Sequence, residues 1–274
     1  MESVILTKVR NADDIIESFV RHHASIASRF VIILHRSTDD TRSIIESLKN
    51  EGLPIEIRFD EREEHNHARA INEVLNELRN EQPDYIFLLD SDEFIVGGKN
   101  VFETFSAEDS KILYLPWRTY VPTSADDASV DLPYRIEHCR NVEPQQFYKV
   151  CVKGAALQCI EGVTEGNHDV WLKPEQFVRK QQIDSPYIAH FPVRSPQQIL
   201  GKIKSHWQAR LANPNRKQAH SFHIKMLYDV FRDRTTLTPE ETEEIARIYA
   251  VPVALQSEPI HLLHRPIPNS AFEC

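Results

Sequence analysis

The densest chemical feature of this chain is the run Asp90-Ser91-Asp92-Glu93, which follows the apolar and aromatic residues Tyr85 to Leu89. Alternation at a strand end lets Asp90 and Asp92 point the same way. Two carboxylates one residue apart can hold a hard divalent ion, directly or through water, while phosphate oxygens complete its shell. A departing diphosphate needs such neutralisation as its charge develops. The plainer reading is a solvated acidic turn after a strand.

The elements around this run decide between the two. Val4 to Leu6 reads as a first strand, and Asn11 as an N-cap with Asp14 at N3 of a helix carrying Ile15, Ile16, Phe19 and Val20. Phe30 to Leu34 is a continuous apolar run, the mark of a strand buried on both faces. Ser37-Thr38-Asp39-Asp40-Thr41 opens a second helix, with Gly52 past its end. Ile55 to Phe59 is a third strand. A longer helix carries Ala68, Ile71, Val74, Leu75 and Leu78 and closes at Pro83. Strand-helix units in this order imply an α/β fold with a mostly parallel, doubly wound sheet. Ligands of such sheets sit beyond the carboxyl ends of the strands, where Val9 to Asn11, His35 to Asp39 and Asp90 to Glu93 converge. No Gly-x-Gly-x-x-Gly or Gly-x-x-x-x-Gly-Lys occurs, so dinucleotide and P-loop sites lose their main support.

Beyond residue 95 the pattern loosens. Ile112 to Leu115 and Phe147 to Val152 read as strands, with Pro122 to Arg140 as a polar loop over the site. Ser195-Pro196-Gln197-Gln198 reads as a capping box that starts a helix with a stripe of Ile199, Ile203, Trp207 and Leu211. Thr238-Pro239-Glu240-Glu241 repeats the start signal. The expected organisation is a catalytic domain over 1–194, with halves 1–95 and 96–194, and a helical extension over 195–274.

Composition narrows the class. A formal net charge of -9 argues against nucleic acid as a partner. Cys139, Cys151, Cys159 and Cys274 fit no zinc spacing and no dense disulfide framework, which suits a reducing compartment. With no signal-like start and no run near the ~18 apolar residues of a membrane span, a cytoplasmic protein is expected. One stretch departs from the acidic balance. From Ser195 to Tyr228 there is no Asp or Glu, while Lys202, Lys204, Arg210, Arg216, Lys217 and Lys225 occur. That face suits an anionic acceptor, donor phosphates or peripheral contact with the inner membrane surface, or it is simply a solvated helix.

In order along the chain, an early Asn turn, Ser37-Thr38-Asp39-x-Thr41, Ala68-x-Ala70-x-Asn72 and Leu89-Asp90-Ser91-Asp92-Glu93 resemble glycosyltransferase family 2 of the GT-A type. The chain is particularly similar to a bacterial branch that carries a Gly-Asn-His and a His-Phe-Pro-x-Arg-Ser segment. Here these read Gly166-Asn167-His168 and His190-Phe191-Pro192-Val193-Arg194-Ser195. The resemblance covers residues 1 to about 210. It implies a GT-A (Rossmann-like) fold and transfer of a sugar from a nucleotide-sugar donor, UDP-linked, to a glycan or lipid-linked glycan acceptor. Inversion at the anomeric carbon and a divalent metal, Mn2+ or Mg2+, are implied as well.

The same resemblance assigns roles. Val9, Asn11, His35, Asp39, Arg69, Asp90 and Ser91 would line the nucleotide and ribose. Asp92, Asp90 and His190 would hold the metal, and an imidazole suits Mn2+ better than Mg2+. The base that takes the acceptor proton is sought among His168, Asp169 and Glu165. Alternatively Gly166-Asn167 is only a tight turn, with His168 packed on Trp171. Two departures stand out. Ala12 replaces the family's acid after the first Asn, and Leu34-His35-Arg36-Ser37 replaces Asp-Asn-Gly-Ser, so Arg36 is free to meet a phosphate or another base. Elsewhere His22, His23, His65 and His67 read as surface or capping residues, and Trp117-Arg118 as an acceptor-channel wall or a buried Trp beside a surface Arg. A sugar nucleotidyltransferase, or a non-catalytic module that binds a sugar nucleotide, remains the alternative. The former predicts a Gly-rich basic loop that Val4 to Asp14 lacks.

Overall fold

The computed structural model describes residues 1–63, 66–97, 100–107, 111–212 and 222–268. Its first part alternates β1 (Ser3–Val9), α1 (Ile16–His23), β2 (Arg29–Leu34), α2 (Thr41–Asn50), β3 (Ile55–Phe59), α3 (His67–Glu81) and β4 (Tyr85–Leu88). The chain continues through β5 (Glu93–Val96), α4 (Asn100–Ala107), β6 (Ile112–Thr119), β7 (His138–Arg140), β8 (Tyr148–Lys153), β9 (Ile160–Val163), β10 (Val170–Leu172), β11 (Lys180–Gln182) and β12 (Tyr187–His190). It then forms α5 (Pro196–Leu211), α6 (Phe222–Phe231), α7 (Pro239–Ile248) and β13 (Leu262–His264).

The main sheet runs β3-β2-β1-β4-β8-β6-β12-β5, with β11 beside β6. The first four strands are mutually parallel. β8 is antiparallel to both of its neighbours, and β12 is parallel to β6. This is the mixed, mostly parallel α/β arrangement expected of the GT-A type. Successive residues of β1 and β2 serve opposite cores, as strand alternation requires. Ile5, Phe30 and Ile32 pack with Phe19 and Ile45 of α1 and α2, whereas Val4, Leu6, Val31 and Ile33 pack with Ile71, Val74 and Leu78 of α3. A third cluster joins Val121 and Val193 to Ile199, Ile203, Ile224, Leu227 and Ile245, so the C-terminal helices have a core of their own.

Several local expectations are corrected. Asn11 does not cap α1. Its φ is 50°, and the helix begins only at Ile16. On α3, Ala70 rather than Ala68 turns into the core. Ser195 caps α5 by accepting from the Gln198 N–H, but the Gln198 side chain accepts from Arg194 instead of closing the box. Thr238 and Glu241 do form the full reciprocal box. The segment after Pro122 packs against α1 and the tail rather than over the site: Ser18 donates to the Leu132 carbonyl, and β7 pairs with β13. That strand also makes the tail less purely helical than expected. His22 and His23 are buried against Phe94 rather than exposed. His65, Arg216, Lys217 and Cys274 lie outside the described residues. Among those described, no helix is long and apolar enough to cross a membrane.

Candidate active site

The acidic run leaves the carboxyl end of β4 and turns straight into β5. β12 lies between β5 and β6 and sets His190 opposite Glu93. The Phe191 N–H donates to the Asp92 carbonyl at 2.8 Å and fixes the two segments together. Four parts of the sequence, at residues 90–93, 117, 149 and 190–202, thus meet at one edge.

The two aspartates have different companions. Asp90 accepts from the Lys149 ammonium at 2.7 Å, and its other oxygen lies 3.6 Å from His67 Nε2. Lys149 also meets Glu93 at 3.1 Å and donates to the Gly166 carbonyl at 2.7 Å. Its side chain is fully buried. Burial alone would lower the Lys149 pKa; Asp90 and Glu93 outweigh it and hold the ammonium charged above its usual range. Burial pushes the Glu93 carboxyl well up, against the pull of Lys149. Glu93 also accepts from the Trp117 indole N–H at 3.0 Å.

Asp92 is compensated from the other side. Lys202 of α5 donates to its Oδ2 at 3.0 Å, and Arg194 lies 3.7 Å from the same oxygen. Burial would raise the Asp92 pKa, but Lys202 and Arg194 hold it well below the carboxylate range. Arg194 is itself fixed by a two-pronged pair with Asp14, both contacts at 2.8 Å. The His190 ring stacks on Trp117 with centroids 4.1 Å apart, and burial lowers its pKa to about 3.

Asp92 Oδ1 and His190 Nε2 face each other at 3.9 Å. Two ligand atoms each about 2.1 Å from one ion lie at most about 4.2 Å apart, so this pair can share a divalent cation. A neutral imidazole is the state that ligation needs. Asp90 does not join this pair directly, because its carboxylate is held by Lys149. Among the described residues no group of three or more His, Cys, Asp or Glu side chains is placed to hold a metal. Asp92 and His190 therefore fit the ion, and donor phosphate oxygens would have to complete its shell.

At the ends of β1 and β2, Asn11 binds the loop after β2. Its side chain accepts from the Thr38 N–H at 2.9 Å, and its own N–H donates to Ser37. Asp39 accepts from Thr41 and from the Asp13 N–H, which spaces α2 against the turn after β1. Val9 is buried, with its carbonyl taken by the His35 N–H. His35 turns inward and bonds the Arg62 carbonyl; burial lowers its pKa to about 4. Arg36 meets the Glu61 carbonyl. Ser91 occupies the turn between the two aspartates, and Arg69 lies in the first turn of α3, 3.9 Å from Glu73.

The three base candidates separate. Glu165 caps α3, accepting from the His67 and Ala68 N–H groups at 3.2 Å each. Asp169 is held by Tyr114 and by Lys180 at 2.8 Å. His168 alone turns to the acidic edge, and it packs on Trp117 with ring centroids 5.1 Å apart. It does so rather than on Trp171, which is 62% exposed. Its Nδ1 lies 3.0 Å from the Tyr148 carbonyl, which can only accept, so Nδ1 carries the hydrogen and Nε2 a lone pair. Burial lowers its pKa to about 4. Gly166 makes room for this ring: a Cβ there would sit 2.8 Å from His168 Nε2, and its φ of +77° suits glycine.

Four contributors escaped the sequence reading in this role. Lys149, His67, Lys202 and Arg194 all flank the aspartates. A lone lysine inside the apolar strand Tyr148 to Val152 was the available signal for Lys149. The acid-free run signalled Lys202 but not its target.

Residues 5–121 match the family model described as Glycosyl transferase family 2. No curated protein matches the chain. Among solved structures, S. aureus TarS in complex with UDP is similar at 13% identity over 85% of this chain and 74% of that one, with a TM-score of 0.45. The mannosyltransferase PcManGT from Pyrobaculum calidifontis, in complex with GDP-Man and Mn2+, is similar at 12% identity over 90% and 69%, with a TM-score of 0.46. A putative glucose-1-phosphate thymidylyltransferase from Bacillus anthracis is similar at 11% identity over 79% and 96%, with a TM-score of 0.42. The matched stretch runs from within β1 to just past β6 and holds both aspartates of the acidic edge. Residues 5–121 thus carry the match to glycosyl transferase family 2, and on that match the chain is a glycosyltransferase.

Proposed function

We propose that the chain moves a sugar from a nucleotide-sugar, UDP-linked, to a hydroxyl of a glycan or lipid-linked glycan, with inversion and with a divalent metal. The observation that carries this reading is the facing pair of Asp92 Oδ1 and His190 Nε2 at 3.9 Å, at the carboxyl edge of the family 2 domain. When bound there, the metal supplies positive charge to the diphosphate. The acceptor oxygen bonds to the anomeric carbon as the bond from that carbon to the diphosphate oxygen breaks, and its electron pair leaves with the diphosphate.

His168 takes the proton of the acceptor hydroxyl on Nε2. Its neutral ring and its Nδ1 anchor favour that role over Glu165 and Asp169, whose oxygens hold other elements. Asn11, Asp39, Arg69 and Ser91 belong to the donor side in this reading. Val9 and His35 shape that side from beneath, and Asp90 acts through Lys149 rather than as a direct ligand. Residues 1–194 are the catalytic unit and 195–274 an extension that completes it.

Donor hydrolysis with and without Mn2+ tests the proposal, using a panel of nucleotide-sugars. Turnover that requires Mn2+ and falls at least about 100-fold in Asp92→Asn is expected. Turnover that survives this substitution sinks the metal assignment.

A further inference from the structure

The ammonium of Lys202 comes from α5, outside the residues matched by the family model. It reaches back 110 positions to Asp92 Oδ2 at 3.0 Å, also donates to the Pro192 carbonyl at 3.2 Å, and lies 5.3 Å from the centre of the Tyr249 ring. It therefore occupies the side of the Asp92 carboxylate next to the oxygen that faces His190. An ion bridging Asp92 and His190 would be a second cation on the same carboxylate. Like charges at such a range in a poorly hydrated site oppose each other strongly.

Lys202 differs from Lys149 in what it can do about this. Lys149 is fully enclosed by Asp90, Glu93 and the Gly166 carbonyl. The side chain of Lys202 is one-quarter exposed, on a flexible stem at the rim of the site. It can leave Asp92 for another anion, and a donor diphosphate brings one to this place.

We propose that Lys202 is an internal competitor of the divalent ion: it neutralises Asp92 in the free protein and transfers its hydrogen bond to the donor diphosphate when ion and donor bind together. This rests on the metal-dependent reading above. Its consequence is a coupling between ligands. The ion binds weakly alone and more tightly with the nucleoside diphosphate, and by linkage the diphosphate gains equally from the ion. Without Lys202, the ion alone binds more tightly and the coupling shrinks.

The test is Mn2+ binding, read from the signal of free Mn2+ in electron paramagnetic resonance, with and without UDP. It compares the native chain with Lys202→Met, Lys202→Gln and Lys202→Arg. The expected result is roughly tenfold tighter binding of Mn2+ alone in the Met and Gln variants, with a smaller gain on adding UDP. The Arg variant should stay close to native. Equal or weaker binding of Mn2+ in both neutral variants, with native binding intact, overturns the proposal and leaves the metal site standing. No Mn2+ binding by any variant, UDP present or absent, removes the metal-dependent reading and this inference with it.

Discussion

Asp90 and Asp92 stand two residues apart on one turn, yet the molecule answers their charges from opposite directions. Lys149, which meets Asp90, comes from the interior strand β8 and is also held by Glu93 and a backbone carbonyl. Lys202, which meets Asp92, comes from a helix packed outside the sheet and keeps partial contact with solvent. The first arrangement is architecture: Lys149 is spent on Asp90, Glu93 and a backbone carbonyl at once. The second is a place where a newcomer can bind, because one carboxylate oxygen already faces a neutral imidazole.

The contrast can be broken most forcefully at Lys149. Lys149→Met leaves the fully buried Glu93, and Asp90 beside it, without their cation, and a loss of about 3 kcal/mol in unfolding stability is expected from denaturant melts. Lys202→Met should cost far less, since Asp92 keeps Arg194 nearby and Lys202 is less enclosed. Similar losses for the two variants would erase the distinction.

Acid sharpens it next. His190, His206 and His223 have pKa values pushed down to about 3 by burial, and His35 and His168 to about 4. In the unfolded chain these rings take protons near pH 6.5. Between about 6.5 and 3 the unfolded state therefore binds more protons, so the stability present at neutral pH is lost as pH falls through that window. Burial lowers His22, His23 and His67 as well, so rings that resist protonation lie both in the sheet part and in the C-terminal helices. Limited proteolysis at about pH 5 should therefore cut both parts faster than at about pH 7; equal rates at the two pH values would count against buried neutral rings. The smallest effect is expected from Ser195→Ala, which removes the side-chain cap of the helix that carries Lys202. A loss of about 1 kcal/mol is predicted, with the Asp90 surroundings unchanged by NMR.

Much of the sheet was legible because its physics is local. Continuous apolar runs marked β1, β2 and β4, and helical spacing marked the presence of α2 and α3. The start of α1 was not, since Asn11 looks like a cap but spends its side chain on the loop after β2. The acidic edge was found from its position after a buried strand. Its compensating lysines were not, because a lysine's partner 59 or 110 residues away leaves no periodic trace. Glu165, singled out as a base, turned out to cap α3, and that too is a pairing of distant segments.

The bond between Asp14 and Arg194 spans 180 positions. Seen in time rather than in space, it dates the site. A chain emerging from the ribosome has both aspartates and β1 to β4 long before Arg194 and Lys202 are made. Non-local pairings of this kind form late because a long loop must close first. The acidic edge therefore spends its early life without the cations of the Asp92 side, which arrive only with the segment after β12 and with α5.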